Sequence, residues 1–217
     1  MRVPIHIFCT MVILALTVGI VSAGPNEGVV LAVQGNVLGQ QVDSHSSPCD
    51  IDIPVDCEDM DTHAVPYYGA SWYLAVVVSP PENTPNFSTV VFGLGDFNMA
   101  ENYIAFTGSC VHGALEVTTA GWPGPGEGTA MSWAPDCLYG YMEPVYYFGT
   151  YNYNDGVIPL GVHPVQGGVV VNCSEDPEMD SFEGFGAMEG DNPACPFVPE
   201  PTPAKWTTWG RIKGIYR

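Results

Sequence analysis

Apolar positions fall along this chain in short blocks, without the three- and four-residue rhythm of amphipathic helices. Two blocks dominate: Tyr73-Leu-Ala-Val-Val-Val-Ser79 and Phe87-Ser-Thr-Val-Val-Phe-Gly-Leu-Gly-Asp-Phe97. Both are rich in β-branched and aromatic residues, and Pro80-Pro-Glu-Asn-Thr-Pro-Asn86 separates them. This pattern predicts a central pair of strands joined by a loop. The first block is apolar almost throughout, so it is expected to be covered on both faces, in the middle of a packed sandwich. Gly28–Val42 predicts one or two strands ahead of this pair. Tyr103–Phe106, Ala114–Thr119, Thr129–Trp133, Pro144–Tyr153, an edge piece at Val157–Leu160, and Gly168–Asn172 follow it. Trp122–Gly128, with alternating Pro and Gly, reads as a tight turn. Eight or nine short strands at this spacing make an all-β fold, a single antiparallel β-sandwich.

The pattern breaks at both ends. Residues 1–23 carry Arg2, an apolar run from Ile5 to Ile20 and Val21-Ser22-Ala23, the form of a cleaved export signal. The run is short for a membrane span and lacks a basic flank after it, so no span is expected in the mature chain. The sandwich domain is placed at 24–198, with Ser174–Pro203 read as a loop clipped by Cys195. A Pro-rich linker at 199–204 and a tail at 205–217 follow. In the tail, Thr208 is placed to cap a short helix presenting Trp209, Ile212 and Tyr216 on one side.

Charge changes the picture more than any motif. All 24 acidic residues lie after residue 23, and Lys205, Arg211, Lys213 and Arg217 are the only cations there, leaving −20. Such a body repels nucleic acid and anionic membranes and attracts cations. With no Lys or Arg between Gly24 and Ala204, salt bridges to those residues cannot organise it. Six cysteines remain beyond the signal: Cys49, Cys57, Cys110, Cys137, Cys173 and Cys195. An even number in an exported chain predicts a disulfide framework. Loop-closure entropy favours nearest neighbours, Cys49–Cys57, Cys110–Cys137 and Cys173–Cys195, among the fifteen connectivities that six cysteines allow.

Four groups of residues occur in order: Phe92-Gly-Leu-Gly-Asp96, Gly121-Trp-Pro-x-Pro-Gly-x-Gly-Thr-Ala130 followed by Trp133, Val145-Tyr-Tyr-Phe-x-x-Tyr151, and His163-Pro-x-Gln-Gly-Gly168. Together they resemble a group of exported β-sandwich proteins of environmental bacteria that has no assigned function. The likeness spans Tyr73 to Cys195 and brings no catalytic constellation with it. The Phe-Gly-Leu-Gly-Asp segment is also distantly similar to the strand and turn of cohesin-like or immunoglobulin-like sandwiches. The tail Thr208-Trp-Gly-Arg-Ile-Lys213 is similar to C-terminal ends of other exported proteins of such bacteria.

For chemistry, Asp50, Asp52, Asp56, Glu58, Asp59 and Asp61 form an acidic loop able to offer calcium its oxygen ligands, although the spacing is not that of an EF-hand. Ser174–Asp180 is a second acidic run. His45, His63, His112 and His163 make no i, i+4 pair, and His163 reads as a turn residue. No nucleophile elbow or nucleotide-binding loop is present. On the strand Pro144–Tyr153, Tyr147, Tyr151 and Tyr153 share one face, while Tyr146 and Phe148 share the other. Tyr147, Tyr151, Trp122, Trp206 and Trp209 are candidate stacking residues.

The expectation is a non-catalytic secreted or cell-surface structural or adhesive module. Its partners would be other copies of itself or cell-surface components, engaged through the basic tail. The alternatives are a carbohydrate-binding module using exposed Tyr and Trp, and an extracellular hydrolase with paired carboxylates.

Overall fold

The computed structural model describes residues 24–40, 47–154, 156–189 and 194–197. The signal, the Pro-rich linker, His45 and the tail with Trp206 and Trp209 lie outside the described residues.

The fold is an all-β sandwich whose strands are β1 (Val30–Gly35), β2 (Ser71–Val78), β3 (Thr89–Leu94), β4 (Asn102–Ser109), β5 (Leu115–Thr118) and β6 (Gly128–Ser132). They continue as β7 (Met142–Asn152), β8 (Ile158–Gly161), β9 (Val169–Val171), β10 (Met179–Ser181), β11 (Gly184–Phe185) and β12 (Ala187–Met188). The first sheet runs β11-β1-β2-β7-β4, and the second runs β10-β9-β3-β6-β5. In the second sheet, β8 follows β9 along the same side of β3 and carries β12 on its far side. Pairing is antiparallel except between β1 and β11, which run parallel.

Alternation sorts the side chains of β1 and β2 into two apolar cores. Leu31, Val33, Tyr73, Ala75 and Val77 point between the sheets, where they meet Phe92, Met131, Tyr146 and Phe148. Val30, Ala32, Leu74, Val76 and Val78 point the other way and meet Ile51, Met60 and Ala194. The second core exists because residues 47–66 fold over the outer side of the first sheet as a third layer. Two disulfides bind that layer down: Cys49–Cys110 and Cys57–Cys195, across 61 and 138 positions of sequence. Cys137–Cys173 ties the loop before β7 to the end of β9.

Four expectations are corrected. The blocks around Leu74 and Phe92 are not a hairpin: β2 and β3 lie in different sheets and face each other across the core. None of the nearest-neighbour disulfides forms. Loop-closure entropy changes only logarithmically with length, so the placing of residues 47–66 on the sheet decides the pairing. The piece at Val157–Leu160 is not an edge, because β8 is paired on both sides. Ser174–Pro203 is not all loop, since β10, β11 and β12 fall within it.

Candidate functional site

The outer side of the first sheet is covered only in part. The strapped loop covers β1 and β2 and reaches as far as Trp72, Met142 and Tyr147; from there outward, β7 and the edge strand β4 present an aromatic surface. Tyr146 and Phe148 of β7 point into the core, and Tyr147 and Tyr151 point outward. Trp72 of β2 flanks β7 on one side, and Phe106 and Tyr103 of β4 flank it on the other. The Trp72 and Phe106 rings lie 5.5 Å apart with planes 21° from parallel. Tyr147 is 6.3 Å from Trp72, and Tyr151 is 6.4 Å from Phe106. Tyr103 sits directly across from Tyr151 and, like Phe106, is nearly half exposed (48% and 46%).

Two features of the chain lay these rings on the sheet. The first is glycine. A Cβ on Gly149 would stand 2.9 Å from the Trp72 ring and 3.0 Å from the Phe106 ring; one on Gly108 would stand 2.7 Å from Tyr147. Both strand positions are left bare so that aromatic neighbours can settle over them. The second is a bulge. The pairing of β4 with β7 slips between Ile104 and Phe106. Simple alternation would put these two side chains on one face; the extra residue, Ala105, leaves Ile104 buried in the core and turns Phe106 outward. Trp72, Phe106, Tyr103, Tyr147 and Tyr151 therefore form one surface of rings and phenol hydroxyls without a charged side chain among them.

Trp122 does not join this surface. Its ring packs edge-on against Phe92 and Tyr146, at 5.9 Å from each. Its Nε1 donates to the Tyr146 hydroxyl (3.0 Å), which donates to Glu116 Oε1 (2.7 Å); Thr129 Oγ1 donates to the same oxygen (2.7 Å). Burial is the main cause that pushes the Tyr146 phenol well above its ordinary range. The network closes the side of the core where β5 and β6 meet β7, so Trp122 is part of the wall.

The acidic loop is spread out. Asp50 accepts the Ser47 backbone N–H (3.0 Å), and Asp52 accepts Gln40 Nε2 (2.6 Å). Asp61 accepts both the backbone N–H of His63 (2.8 Å) and a contact from its Nδ1 (2.7 Å). These hydrogen bonds, the backbone one foremost, hold the Asp61 carboxyl below its ordinary range. Asp56, Glu58 and Asp59 line a cleft of about 510 Å³ with Val55, Val78, Tyr141, Met142 and Phe197. Among the described residues no three His, Cys, Asp or Glu side chains are grouped to hold a metal ion. In the second acidic run, Asn172 Oδ1 accepts the N–H groups of Ser174 and Glu178, which shapes the loop. His163 is buried, with Nδ1 accepting the N–H groups of Val165 and Gln166 (both 3.1 Å), so it builds its turn.

Glu189 is a carboxylate drawn inward. It has φ of 63° and receives the Tyr73 hydroxyl and Asn152 Nδ2. Burial raises its pKa, against a hydrogen bond from Ser71 and the influence of His63. Nothing in the local sequence marks it.

Among the described residues no helix is long and apolar enough to cross a membrane. No family model matches this sequence, and no curated protein does. A solved structure does match, a cohesin module from a family 33 glycoside hydrolase of Clostridium perfringens, at 9% identity and a TM-score of 0.40, over 54% of this chain and 84% of that one.

Proposed function

We propose that this is a non-catalytic secreted or cell-surface adhesive module that grips carbohydrate with the open aromatic half of its first sheet. The observation that carries the reading is the uncharged surface of Trp72, Phe106, Tyr103, Tyr147 and Tyr151. A pyranose ring has an apolar C–H face and a rim of hydroxyls, which suit aromatic rings edged by phenols. A body with no Lys or Arg from Gly24 to Ala204 disfavours polyanionic sugars, so neutral glycans are the expected ligands. Three disulfides suit work in an oxidising, extracellular space.

The test is a glycan array followed by titration of the best neutral hit. Trp72→Ala and Tyr151→Ala should each weaken binding at least about tenfold. Leu115→Ser, at an exposed position on β5, should leave it unchanged. An array without hits, or equal binding by all three variants, overturns the reading.

A second reading, assembly through the basic tail, is favoured by the cleft beside Phe197. Asp56, Glu58 and Asp59 stand there among apolar side chains, and the sequence that follows Phe197 carries Trp206, Trp209 and four cations. Opposite charge across such a contact should make association stronger at low salt. Chains ending at Ala204 should then sediment as monomers where the full chain associates. Equal sedimentation of the two would remove this reading and leave the glycan face untouched.

A further inference from the structure

At the end of the sandwich where β7 finishes, the space between the sheets is lined by oxygen. Strand alternation sends Ser71, Thr150, Asn152 and Asn102 inward at neighbouring positions: Ser71 pairs with Thr150, and Asn152 pairs with Asn102. Glu189 enters the same space from the chain beyond β12, touching Tyr73, Asn152 and Ser71. Thr150 and Asn102 are 0% and 1% exposed. Yet Thr150 Oγ1, Asn102 Oδ1 and Asn152 Oδ1 are all buried with no hydrogen-bond partner among the described residues.

A buried oxygen without a partner costs about 1–3 kcal/mol, and three in one place are rarely tolerated. Glu189 adds a left-handed backbone at a residue with a side chain, a strain that clusters at functional positions. These three unpartnered atoms are all oxygens, and the charged group hydrogen-bonded into the cluster is the Glu189 carboxylate. The other titratable groups nearby are His63, which acts on Glu189 through its charge, and Glu101, whose carboxylate lies beside Gly156 and the Asn102 amide. Carboxylate, amide and hydroxyl oxygens are the donor set that hard cations select.

We infer that Glu189, Asn102, Thr150 and Asn152 bind a hard, oxygen-seeking cation of the calcium kind. This site is separate from the acidic loop at residues 50–61 and from the aromatic face. With one carboxylate, Glu189, among the four residues assigned to it, it belongs with the weak, extracellular class of calcium sites, with dissociation constants of roughly 10⁻⁴–10⁻³ M.

The experiment uses the oxidised full chain and terbium, a calcium stand-in that glows when an excited tyrosine lies close. Tyr73, whose hydroxyl touches Glu189, is the expected donor of that energy. Terbium emission should rise on mixing and fall as millimolar calcium displaces it. Glu189→Gln and the near-isosteric Thr150→Val should each weaken calcium at least about tenfold. The triple variant Asp56→Asn, Glu58→Gln, Asp59→Asn should bind as the parent does. Thr150→Val also keeps the question open if Glu189→Gln fails to fold: it removes an unpartnered hydroxyl and should be at least as stable as the parent without calcium. The inference is overturned by an absence of terbium emission and of any calcium-dependent rise in Tm. It is equally overturned by emission that survives both site variants, or that is lost only in the acidic-loop triple.

Discussion

The two halves of the first sheet's outer side are built from similar material and treated in opposite ways. Over β1 and β2, Val30, Ala32, Leu74 and Val76 lie under Ile51, Met60 and Ala194, with two disulfides holding the cover. Across β7 and β4, Tyr147, Tyr151, Phe106 and Tyr103, with Trp72 of β2, lie at and beyond the edge of that cover; Trp72 and Tyr147 pack against it, while Tyr103 and Phe106 are nearly half exposed. Aliphatic side chains left in water cost about 25 cal/mol for each Å² of apolar surface, so the first half needs its third layer. Aromatic rings settled over glycine keep part of their surface out of water and still offer a face to a partner. On the proposed reading, the strapped half serves folding and the aromatic half serves binding.

Removing the strap should have the largest effect. Cys57–Cys195 closes a 138-residue separation, and a loop of that size contributes roughly 4–5 kcal/mol by constraining the unfolded chain. Cys57→Ser with Cys195→Ser should lower stability to urea by about that amount. It should also raise binding of an apolar dye, as Val30, Ala32 and Leu74 lose their cover. Unchanged dye binding would mean that packing alone holds the layer.

The next comparison lies within one strand. Phe148 is fully buried, while its neighbour Tyr147 points outward. Phe148→Ala should cost about 4 kcal/mol by leaving a cavity, whereas Tyr147→Ala should cost under about 1 kcal/mol and weaken glycan binding. Thermal unfolding of the pair measures the contrast; similar losses would show that the outer rings are part of the core.

Much of this division was legible in the residues. The unbroken apolar run of β2 pointed to burial on both faces, and alternation in β7 separated Tyr146 and Phe148 from Tyr147 and Tyr151. What covers β2 was not legible. Its second core comes from a polar, acidic stretch in which Ile51 and Met60 are isolated apolar residues, too sparse to register as a layer. The orientation of Phe106 was hidden for a different reason: a bulge reverses the alternation it follows, and the preceding Ala105 gives no sign of it. Trp122 was read as a stacking residue alongside the tyrosines, but its N–H is donated to Tyr146 in the core wall. A local signal did exist for the face itself. Gly149 and Gly108 each sit in a strand beside aromatic residues, where a glycine marks a ring lying across the backbone. No such signal pointed to the polar end cluster, whose residues come from three strands and a loop far apart in sequence.

Filling one of those glycines should give a smaller effect that separates ring placement from ring identity. Gly149→Val puts a branched side chain where the Trp72 and Phe106 rings come within about 3 Å of a Cβ. Phe106 is nearly half exposed and Trp72 partly so, leaving the rings room to shift, and the cost should be about 1–2 kcal/mol. Near-ultraviolet circular dichroism should change and glycan affinity should fall, although every aromatic residue is still present. Full affinity would show that the rings need not lie flat to bind.

The smallest expected effect is at the rim of the strapped half. Asp61 accepts two contacts from His63, and its folded pKa lies below the ordinary 3.8. A carboxyl depressed on folding adds stability above its unfolded value and loses it as pH falls through the folded one. The lost increment therefore appears below about pH 4. Half of the Asp61 side chain and most of the His63 ring are exposed (49% and 71%), so solvent and salt limit the contribution to under about 1 kcal/mol. Denaturation curves between neutral pH and about pH 3 should show a slightly shallower decline for Asp61→Asn than for the parent. The size of the difference is what matters. If Asp61→Asn cost as much at neutral pH as losing Cys57–Cys195, the layer would be held by polar contacts at its rim. A small difference confined to acid leaves the disulfides and the apolar contacts of Ile51 and Met60 as what keeps this half of the sheet closed while the other stays open.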